Sequence, residues 1–192
     1  MSWFQDAPQP SLDLVAAAAA SPAAGIVDVG GGASRLVDHL VARGFRDVTV
    51  VDLSEAALAT ARARLAAARP DGAGVAWVVA DATTWRPARR FAVWHDRAAF
   101  HFLVEAADRA AYVARLAAAL APGGQAIIAT FATFAPDGPA ACSGLPVMRY
   151  DAAGLARALG PAFEPVHARR HLHVTPGGTT QAFQFGVFRR AG

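Results

Sequence analysis

Hydrophobic positions along the chain form short continuous runs, separated by longer segments of mixed helical character. The runs predict strands at residues 25–29, 48–51, 75–79, 91–94 and 125–131. The segments before and between them predict helices at residues 11–20, 34–42, 55–68 and 108–120. Strands that alternate with helices are typical of a parallel sheet covered by helices on both faces.

Capping and breaking residues set the boundaries of these helices. Ser11 and Ser54 precede helical segments and are predicted N-caps, since a serine oxygen can accept from the first free backbone N–H groups. Three proline- and glycine-containing breaks are predicted to end helices: Ser21-Pro22, Pro70-Asp71-Gly72 and Pro122-Gly123-Gly124.

The C-terminal part departs from this alternation. A helix at 152–159 is followed by two extended runs, 164–174 and 181–189, joined across Thr175-Pro176-Gly177-Gly178. Two such runs joined by a short glycine-containing loop predict an antiparallel hairpin. The predicted fold class is therefore α/β: a doubly wound, mostly parallel seven-stranded sheet with helices on both faces and a C-terminal antiparallel hairpin.

Composition narrows the class of protein. A chain of 192 residues predicts one domain with a sizeable core. The hydrophobic fraction of 54% is inflated by alanine, and the apolar run 14–20 is too short to span a bilayer, so we expect a cytoplasmic protein without a membrane partner. No basic signal-peptide flank is seen, and the single cysteine fits a reducing compartment.

The charge pattern does not indicate a nucleic-acid partner. The net charge is only +3, and all 18 basic residues are arginines, scattered rather than arranged in a stripe with aromatic residues. Nucleic-acid binding is therefore not expected.

Chemistry is concentrated in the first strand and the turn that follows it. Asp28 lies two residues before Gly30 in a glycine-rich turn, and the second strand ends in Asp52, about 20 residues on, which suits ribose hydroxyls. The dinucleotide fingerprint would need a third glycine where Arg35 stands. The acid before the turn suits a cationic cofactor better than a diphosphate.

These residues resemble the first motif, D/E-x-G-x-G, and the ribose-binding acid of the class I S-adenosylmethionine-dependent methyltransferases. The resemblance covers nearly the whole chain and implies a Rossmann-like methyltransferase fold with S-adenosyl-L-methionine as cofactor and S-adenosyl-L-homocysteine as product. It also implies cofactor-binding roles. The methionine portion would lie at Asp28, Gly30, Gly31 and Gly32, the ribose at Asp52, and the adenine at Leu53, Asp81 and Ala82.

A second rich segment, residues 94–103, reads WHDRAAFHFL and follows the fourth predicted strand. The resemblance places groups near the transferable methyl here. We therefore expect His95, Asp96 and His101 to be the catalytic residues: His95 is expected to contact the cofactor, and Asp96 and His101 are the first candidates for acid–base catalysis. The alternative remains open that Asp96 pairs with Arg97 structurally and that His101 is a core histidine.

A loop after the fifth strand, residues 142–150, carries polar groups that could reach the same cleft. The predicted substrate-binding residues are Arg97, Cys142, Arg149, Tyr150 and His173. His171 and His173 share one face of a strand, but with Cys142 they do not form a recognised zinc pattern, so no metal is predicted.

The N-terminal residues 2–8 are unusually aromatic for a free tail. Trp3, with Phe4, is predicted to close over the cofactor as a lid, with packing on the sheet as the open alternative.

The sequence thus predicts a single methyltransferase domain over 1–192, with an N-terminal lid and helix (1–24), a cofactor-binding core (25–131) and a substrate loop with hairpin (132–192). A small-molecule acceptor is the first choice and a protein lysine side chain the second. A nicotinamide-dependent oxidoreductase and a non-catalytic cofactor-binding module are rivals from other classes. The acceptor atom and the oligomeric state are left open.

Overall fold

The computed structural model describes residues 5–69 and 74–192, and its centre is a seven-stranded sheet in the order β3-β2-β1-β4-β5-β9-β8. The strands are β1 (Ile26–Val29), β2 (Val48–Asp52), β3 (Val75–Val79), β4 (Phe91–Arg97), β5 (Leu120–Phe131), β8 (Phe163–Val174) and β9 (Thr180–Arg190). The first five are parallel, and β9 inserts antiparallel between β5 and β8. The predicted fold class, including the C-terminal hairpin, is confirmed.

Helices cover both faces of this sheet: α1 (Ser11–Ala18), α2 (Leu36–Ala42), α3 (Glu55–Ala68), α4 (Ala106–Ala119) and α5 (Ala152–Leu159). One apolar cluster joins α1, α2 and α3 to the sheet, and a second joins α4 and α5 to the opposite face. Burying each large apolar side chain contributes about 1.5–3 kcal/mol, which explains why alternating strands and helices settle into three layers. None of the helices in the described ranges is long and apolar enough to cross a bilayer.

Helix starts follow the predicted capping chemistry at one of the two sites. The Ser54 hydroxyl accepts from the backbone N–H of Ala57 at 3.2 Å and caps α3. The prediction for Ser11 is wrong. Pro10 occupies the N-cap position, Ser11 is the first helical residue, and the helix ends at Ala18, two residues earlier than predicted. The predicted break after α3, Pro70-Asp71-Gly72, lies outside the described residues.

Strand β4 is three residues longer than predicted, and this changes the setting of its polar residues. His95, Asp96 and Arg97 were expected to follow the strand, but they are part of it. The reason is pairing on both sides: Asp28 of β1 lies opposite His95, and Arg97 lies opposite Ala129 of β5. Strand geometry then sends His95 and Arg97 to one face and Asp96 to the other.

Strand β5 is also longer than predicted. It begins at Leu120, so Pro122-Gly123-Gly124 lies inside the strand rather than between helix and strand. The register against β4 shifts between Phe91 and Val93, which accommodates this irregular start. The preceding helix α4 accordingly runs over Ala106–Ala119 instead of 108–120.

A short additional hairpin, β6 (Ala141–Cys142) with β7 (Leu145–Pro146), forms in the segment predicted only as a loop. Its turn holds Ser143 at φ 51° and Gly144 at φ 80°, a left-handed pair that reverses the chain. This hairpin brings Cys142 toward the carboxyl ends of the central strands.

Candidate active site

A cleft of about 530 Å³ opens outside the carboxyl ends of β1, β2 and β4, where the strand order reverses. This is the place where open α/β sheets bind ligands. The predicted site residues that line it are Asp28, Gly30, Gly31, Gly32, Asp52, Leu53, Asp81, Ala82, His95, Arg97 and Cys142. Those that do not line it are Asp96, His101, Arg149, Tyr150 and His173. Trp3 and Phe4, the predicted lid, lie outside the described residues.

The glycine turn, residues 30–32, forms the floor of the cleft beyond β1. Gly30 has φ +68°, and a Cβ there would lie 2.7 Å from the Cβ of Ala99. A Cβ on Gly31 would lie 2.6 Å from Val50 Cγ1 and 2.7 Å from Asp28 Oδ2. Side chains at these positions would collide with their surroundings, so the glycines let the backbone pass close beneath a ligand.

Asp52 ends β2 at the rim of the cleft. Its Oδ1 accepts from the backbone N–H of Ser54 at 2.8 Å, which fixes the carboxylate at the start of α3. Desolvation raises the pKa of Asp52, and the charge of Asp28 adds to that rise, while the hydrogen bond from Ser54 lowers it. The two carboxylates therefore give this end of the cleft a negative field, which favours cations and hydroxyl donors.

Two apolar residues, Leu53 and Ala82, and one acid, Asp81, line the cleft at the ends of β2 and β3. Leu53 is 73% exposed, which leaves its side chain available to a flat ligand. Asp81 Oδ1 accepts from the backbone N–H and the hydroxyl of Thr83, both at 2.7 Å, and so orders the turn that carries Ala82. An exposed leucine beside an ordered polar turn suits a heteroaromatic ring with polar edges.

Deeper in the cleft, Asp28 and His95 form a buried pair across adjacent strands. Asp28 Oδ1 lies 2.7 Å from His95 Nδ1, and the two residues are 3% and 2% exposed. Within the described residues, the other ring nitrogen, Nε2, has no hydrogen-bond partner. This pair was not predicted, because it depends on β1 and β4 being neighbours in register.

Arg97 of β4 and Cys142 of the β6–β7 hairpin also line the cleft. The Arg97 guanidinium donates to the Gln5 side chain, and desolvation lowers the pKa of Arg97 while the charge of Asp28 raises it. The β6–β7 hairpin supplies Cys142, and with it Ser143 and Leu145. A largely buried cation and an apolar hairpin thus border the space next to His95.

Asp96 faces away from the cleft and holds the turn after β4. Its carboxylate is fully buried and accepts from the backbone N–H groups of Ala99 at 2.8 Å and Phe100 at 3.0 Å. The Tyr112 hydroxyl donates to it at 2.6 Å and accepts from Trp94 Nε1 at 2.8 Å. Desolvation raises the pKa of Asp96 to about 6, against the lowering effect of these hydrogen bonds.

His101 is enclosed in the apolar core rather than in the cleft. It is fully buried, and its ring lies 4.5 Å from that of Phe102 and 4.9 Å from that of Phe131. Neither ring nitrogen has a partner within the part of the chain that the structure describes. Desolvation lowers the pKa of His101 to about 4. The placement of Asp96 and His101 therefore denies both side chains access to the cleft, contrary to the expected acid–base geometry.

The other predicted substrate-binding residues serve the surrounding structure. Arg149 donates to the backbone carbonyls of Ala132, Pro136 and Gly138 at 2.9 to 3.2 Å, and also to that of Ala135. The Tyr150 ring stacks against Phe100, and His173 is 3% exposed against Phe183. These three residues shape the loop and hairpin beside the cleft without lining it.

Several lining residues were missed by the sequence reasoning: Pro8, Ser11, Phe102, Leu103, Ser143 and Leu145. Ser143 and Leu145 lie in the loop 142–150, and Phe102 and Leu103 lie in the segment WHDRAAFHFL. Their closeness in sequence to predicted site residues was the signal that could have found them. Pro8 lies in the N-terminal segment 2–8 predicted as a lid, and Ser11 was predicted only as a helix N-cap. Within the described ranges, no three His, Cys, Asp or Glu side chains come together in a way that would hold a metal ion.

A methyltransferase-domain family model matches residues 26–124, about half of the chain, including the glycine turn and His95. The chain belongs to this family. No curated protein sequence matches it.

Solved methyltransferase structures share the fold across nearly the whole chain. One is the 1,6-didemethyltoxoflavin N1-methyltransferase of Burkholderia thailandensis, with 1,6-didemethyltoxoflavin and S-adenosylhomocysteine bound. It is 25% identical, with 96% of this chain and 78% of that chain covered and a TM-score of 0.75. The N-methyltransferase NodS of Bradyrhizobium japonicum is 16% identical, with 94% of each chain covered and a TM-score of 0.71. Magnesium protoporphyrin IX methyltransferase of Synechocystis, with S-adenosylhomocysteine bound, is 14% identical, with 94% and 80% covered and a TM-score of 0.72.

The predicted enzyme class, a class I S-adenosylmethionine-dependent methyltransferase, is confirmed over the reductase and the binding module. Its cofactor is S-adenosyl-L-methionine. The residues present fit that group. The glycine turn leaves no room for side chains, and the carboxylates of Asp28 and Asp52 favour a cation. Among the described residues that line the cleft, Arg97 is the one arginine, so no cluster suited to a diphosphate is formed there.

Proposed function

We propose that this enzyme transfers a methyl group from S-adenosylmethionine to a small-molecule acceptor bound in the inner part of the cleft. The observation that carries the proposal is the extent of the cleft. It continues from the glycine turn past His95 to Arg97, Phe102 and the β6–β7 hairpin. A cleft of about 530 Å³ is in the range of small-molecule sites.

The cofactor half of the cleft is assigned by the chemistry of its lining. Asp28 and the glycine turn would bind the methionine portion, because the carboxylate favours an ammonium and the glycines allow close backbone approach. Asp52 would bind the ribose hydroxyls, and Leu53, Asp81 and Ala82 the adenine. S-adenosylmethionine, when bound, supplies an electrophilic methyl group on a sulfonium.

The acceptor half would be formed by Arg97 and Cys142 with the apolar Phe102 and Leu145. A mostly apolar lining with one cation suits a compact, partly aromatic acceptor that carries an anionic or strongly polar edge. Two structural neighbours are methyltransferases of 1,6-didemethyltoxoflavin and magnesium protoporphyrin IX, which supports the small-molecule choice. Enclosure by the hairpin would exclude water from the transfer.

The same proposal includes a single domain over residues 1–192 and a cytoplasmic location. One seven-stranded sheet with two flanking apolar clusters supports the single domain. The single cysteine, a free thiol, supports a reducing compartment.

Calorimetry and isotope transfer test the proposal together. We expect the purified protein to bind S-adenosylhomocysteine and S-adenosylmethionine but not reduced nicotinamides. We also expect it to move label from methyl-labelled S-adenosylmethionine into small molecules of a cell extract. Label that enters only the protein fraction would favour the lysine alternative and contradict a small acceptor.

A pair of variants tests the cofactor assignment. Asp52→Asn removes the carboxylate at the rim of the cleft and is expected to weaken S-adenosylhomocysteine binding at least tenfold. Asp47→Asn is the matched control, since Asp47 pairs with Arg89 outside the cleft and its loss should leave binding unchanged. Equal affinity of the two variants would contradict the role of Asp52.

A further inference from the structure

Asp28 and His95 form a buried pair on the neighbouring strands β1 and β4. Asp28 has two carboxylate oxygens: Oδ1 lies 2.7 Å from His95 Nδ1, and Oδ2 lies toward Gly31. One oxygen can therefore face the cofactor end while the other orients the imidazole. His95 lines the cleft beside Asp28, two residues before Arg97 on β4.

The partner on Nδ1 determines which ring nitrogen carries the proton. An ionised carboxylate can only accept a hydrogen bond, so in a neutral imidazole at this position Nδ1 donates to Asp28 and Nε2 carries the lone pair. Nε2 is buried and has no protein partner within the described residues, and His95 lines the cleft. A buried nitrogen without a hydrogen bond costs free energy unless a ligand or a water molecule donates a hydrogen bond to it.

Other titratable groups near the cleft are less suited to accept a proton there. Asp96 is fully buried behind the strand and already accepts three hydrogen bonds, and His101 is enclosed by aromatic rings. Asp52 lies at the cofactor rim, held by Ser54. Arg97, the charged group two residues along β4, donates and cannot accept.

We propose that His95 is the general base of the reaction, that Asp28 is its positioning residue, and that the acceptor is a protic nucleophile: a hydroxyl, a thiol or an N–H group. This inference rests on the proposed function. Of the three predicted catalytic residues it assigns the base to His95 rather than to Asp96 or His101, and it narrows the acceptor class by excluding thioethers and tertiary amines.

The acceptor's proton moves to Nε2 of His95 while the acceptor's electron pair forms the bond to the methyl carbon. The electrons of the broken carbon–sulfur bond stay on sulfur, which becomes a neutral thioether. The imidazolium is stabilised by the Asp28 carboxylate and later returns its proton to water.

The first experiment reads the tautomer directly and needs no acceptor. Nitrogen-15-labelled histidine spectra are recorded with S-adenosylhomocysteine bound, and His95→Gln assigns the signal. We expect a protonated Nδ1 and a bare Nε2, and in Asp28→Asn we expect the proton to leave Nδ1. A protonated Nε2 in the wild type, or an unchanged tautomer in Asp28→Asn, would overturn the inference.

The second experiment measures the rate of methyl transfer to matched acceptors. The protic acceptors are phenol, thiophenol and aniline, and the aprotic ones are thioanisole and N,N-dimethylaniline. Any extract fraction that takes up label is assayed beside them. Transfer should be confined to protic acceptors. His95→Gln should lower kcat by about 10²-fold or more and remove the acidic limb of the pH profile, with little change in KM. Transfer to aprotic acceptors, or an unchanged acidic limb, would overturn the inference.

Controls separate this inference from the proposed function. His167→Gln removes an exposed histidine of β8 and should leave tautomer, kcat and pH profile unchanged. His95→Gln should still bind S-adenosylhomocysteine, which shows that the fold and the cofactor half are intact. If the wild type failed to bind S-adenosylhomocysteine, the proposed function would fail, whereas the same spectra recorded on the ligand-free protein would still decide the tautomer of His95.

Discussion

At the scale of single residues, the most restrictive contact in the cleft is at Gly31. A Cβ there would lie 2.6 Å from Val50 Cγ1 and 2.7 Å from Asp28 Oδ2, and both neighbours are buried strand residues. We therefore expect Gly31→Ala to push Asp28 out of position. The expected result is a loss of about 1–3 kcal/mol in the free energy of unfolding and at least tenfold weaker S-adenosylhomocysteine binding. Thermal unfolding and calorimetry measure the two effects.

The matched control is Gly177→Ala in the turn between β8 and β9. A Cβ at Gly177 would meet only Thr175 Oγ1 at 3.9 Å, an ordinary contact, so both quantities should stay at their wild-type values. Wild-type binding by Gly31→Ala would show that the turn does not approach the cofactor.

The hydroxyls of two buried tyrosines provide a second comparison. The Tyr112 hydroxyl donates to Asp96 at 2.6 Å and accepts from Trp94 Nε1 at 2.8 Å. Tyr112→Phe should lower the free energy of unfolding by about 2 kcal/mol, because a hydrogen bond to a buried charge is lost. Tyr150→Phe should cost nothing, since within the described residues the Tyr150 hydroxyl has no partner. Chemical denaturation of both variants measures this, and equal losses would contradict the role given to Tyr112.

At the scale of elements, Arg149 orders the loop between β5 and the β6–β7 hairpin. Its guanidinium reaches the carbonyls of Ala132, Ala135, Pro136 and Gly138, a fork that a lysine ammonium cannot reproduce. We expect Arg149→Lys to speed amide hydrogen exchange across residues 133–140 while leaving α5 unchanged. Arg157→Lys on the exposed side of α5 is the control. Unaltered exchange in the loop would contradict the prediction.

The elements also mark where sequence patterns stop being informative. Apolar runs located the central strands, because burial on both faces requires continuous hydrophobic residues. The polar end of β4 was missed, since His95, Asp96 and Arg97 are held in the strand by pairing with β1 and β5. The β6–β7 hairpin has two residues in each strand, too few for any period to be visible.

At the scale of the whole molecule, the fold followed from the sequence, and so did most of the residues that line the proposed cofactor half of the cleft. The acids at strand ends and the glycine turn lie where a parallel sheet must bring them together. The pairing of Asp28 with His95 could not be predicted, because it depends on strand order as well as strand identity. For the same reason, Asp96 and His101 were assigned to the cleft although their side chains pack elsewhere.

Those two residues make opposite contributions to the pH dependence of global stability. Burial raises the pKa of Asp96 from 3.8 to about 6, so its contribution to stability is present at low pH and is lost as pH rises through about 6. Burial lowers the pKa of His101 from 6.5 to about 4, so its contribution is present above pH 6.5 and is lost as pH falls through about 4. Between a pH of about 4 and about 6, the two residues change the free energy of unfolding in opposite directions, so their effects partly cancel.

Removing one residue should therefore unmask the other. His101→Phe places a ring that suits the aromatic surroundings and does not titrate. Its free energy of unfolding, relative to that of the wild type, should increase as pH falls from 6.5 to 4, by up to about 3 kcal/mol. Asp96→Asn should behave in the opposite sense, with its stability relative to wild type increasing as pH rises from about 4 to 6. Urea denaturation at half-unit pH steps measures both differences. If the free energy of unfolding of each variant followed the same pH dependence as that of the wild type, neither group would change its pKa on folding. That outcome would contradict the desolvation of Asp96 and His101.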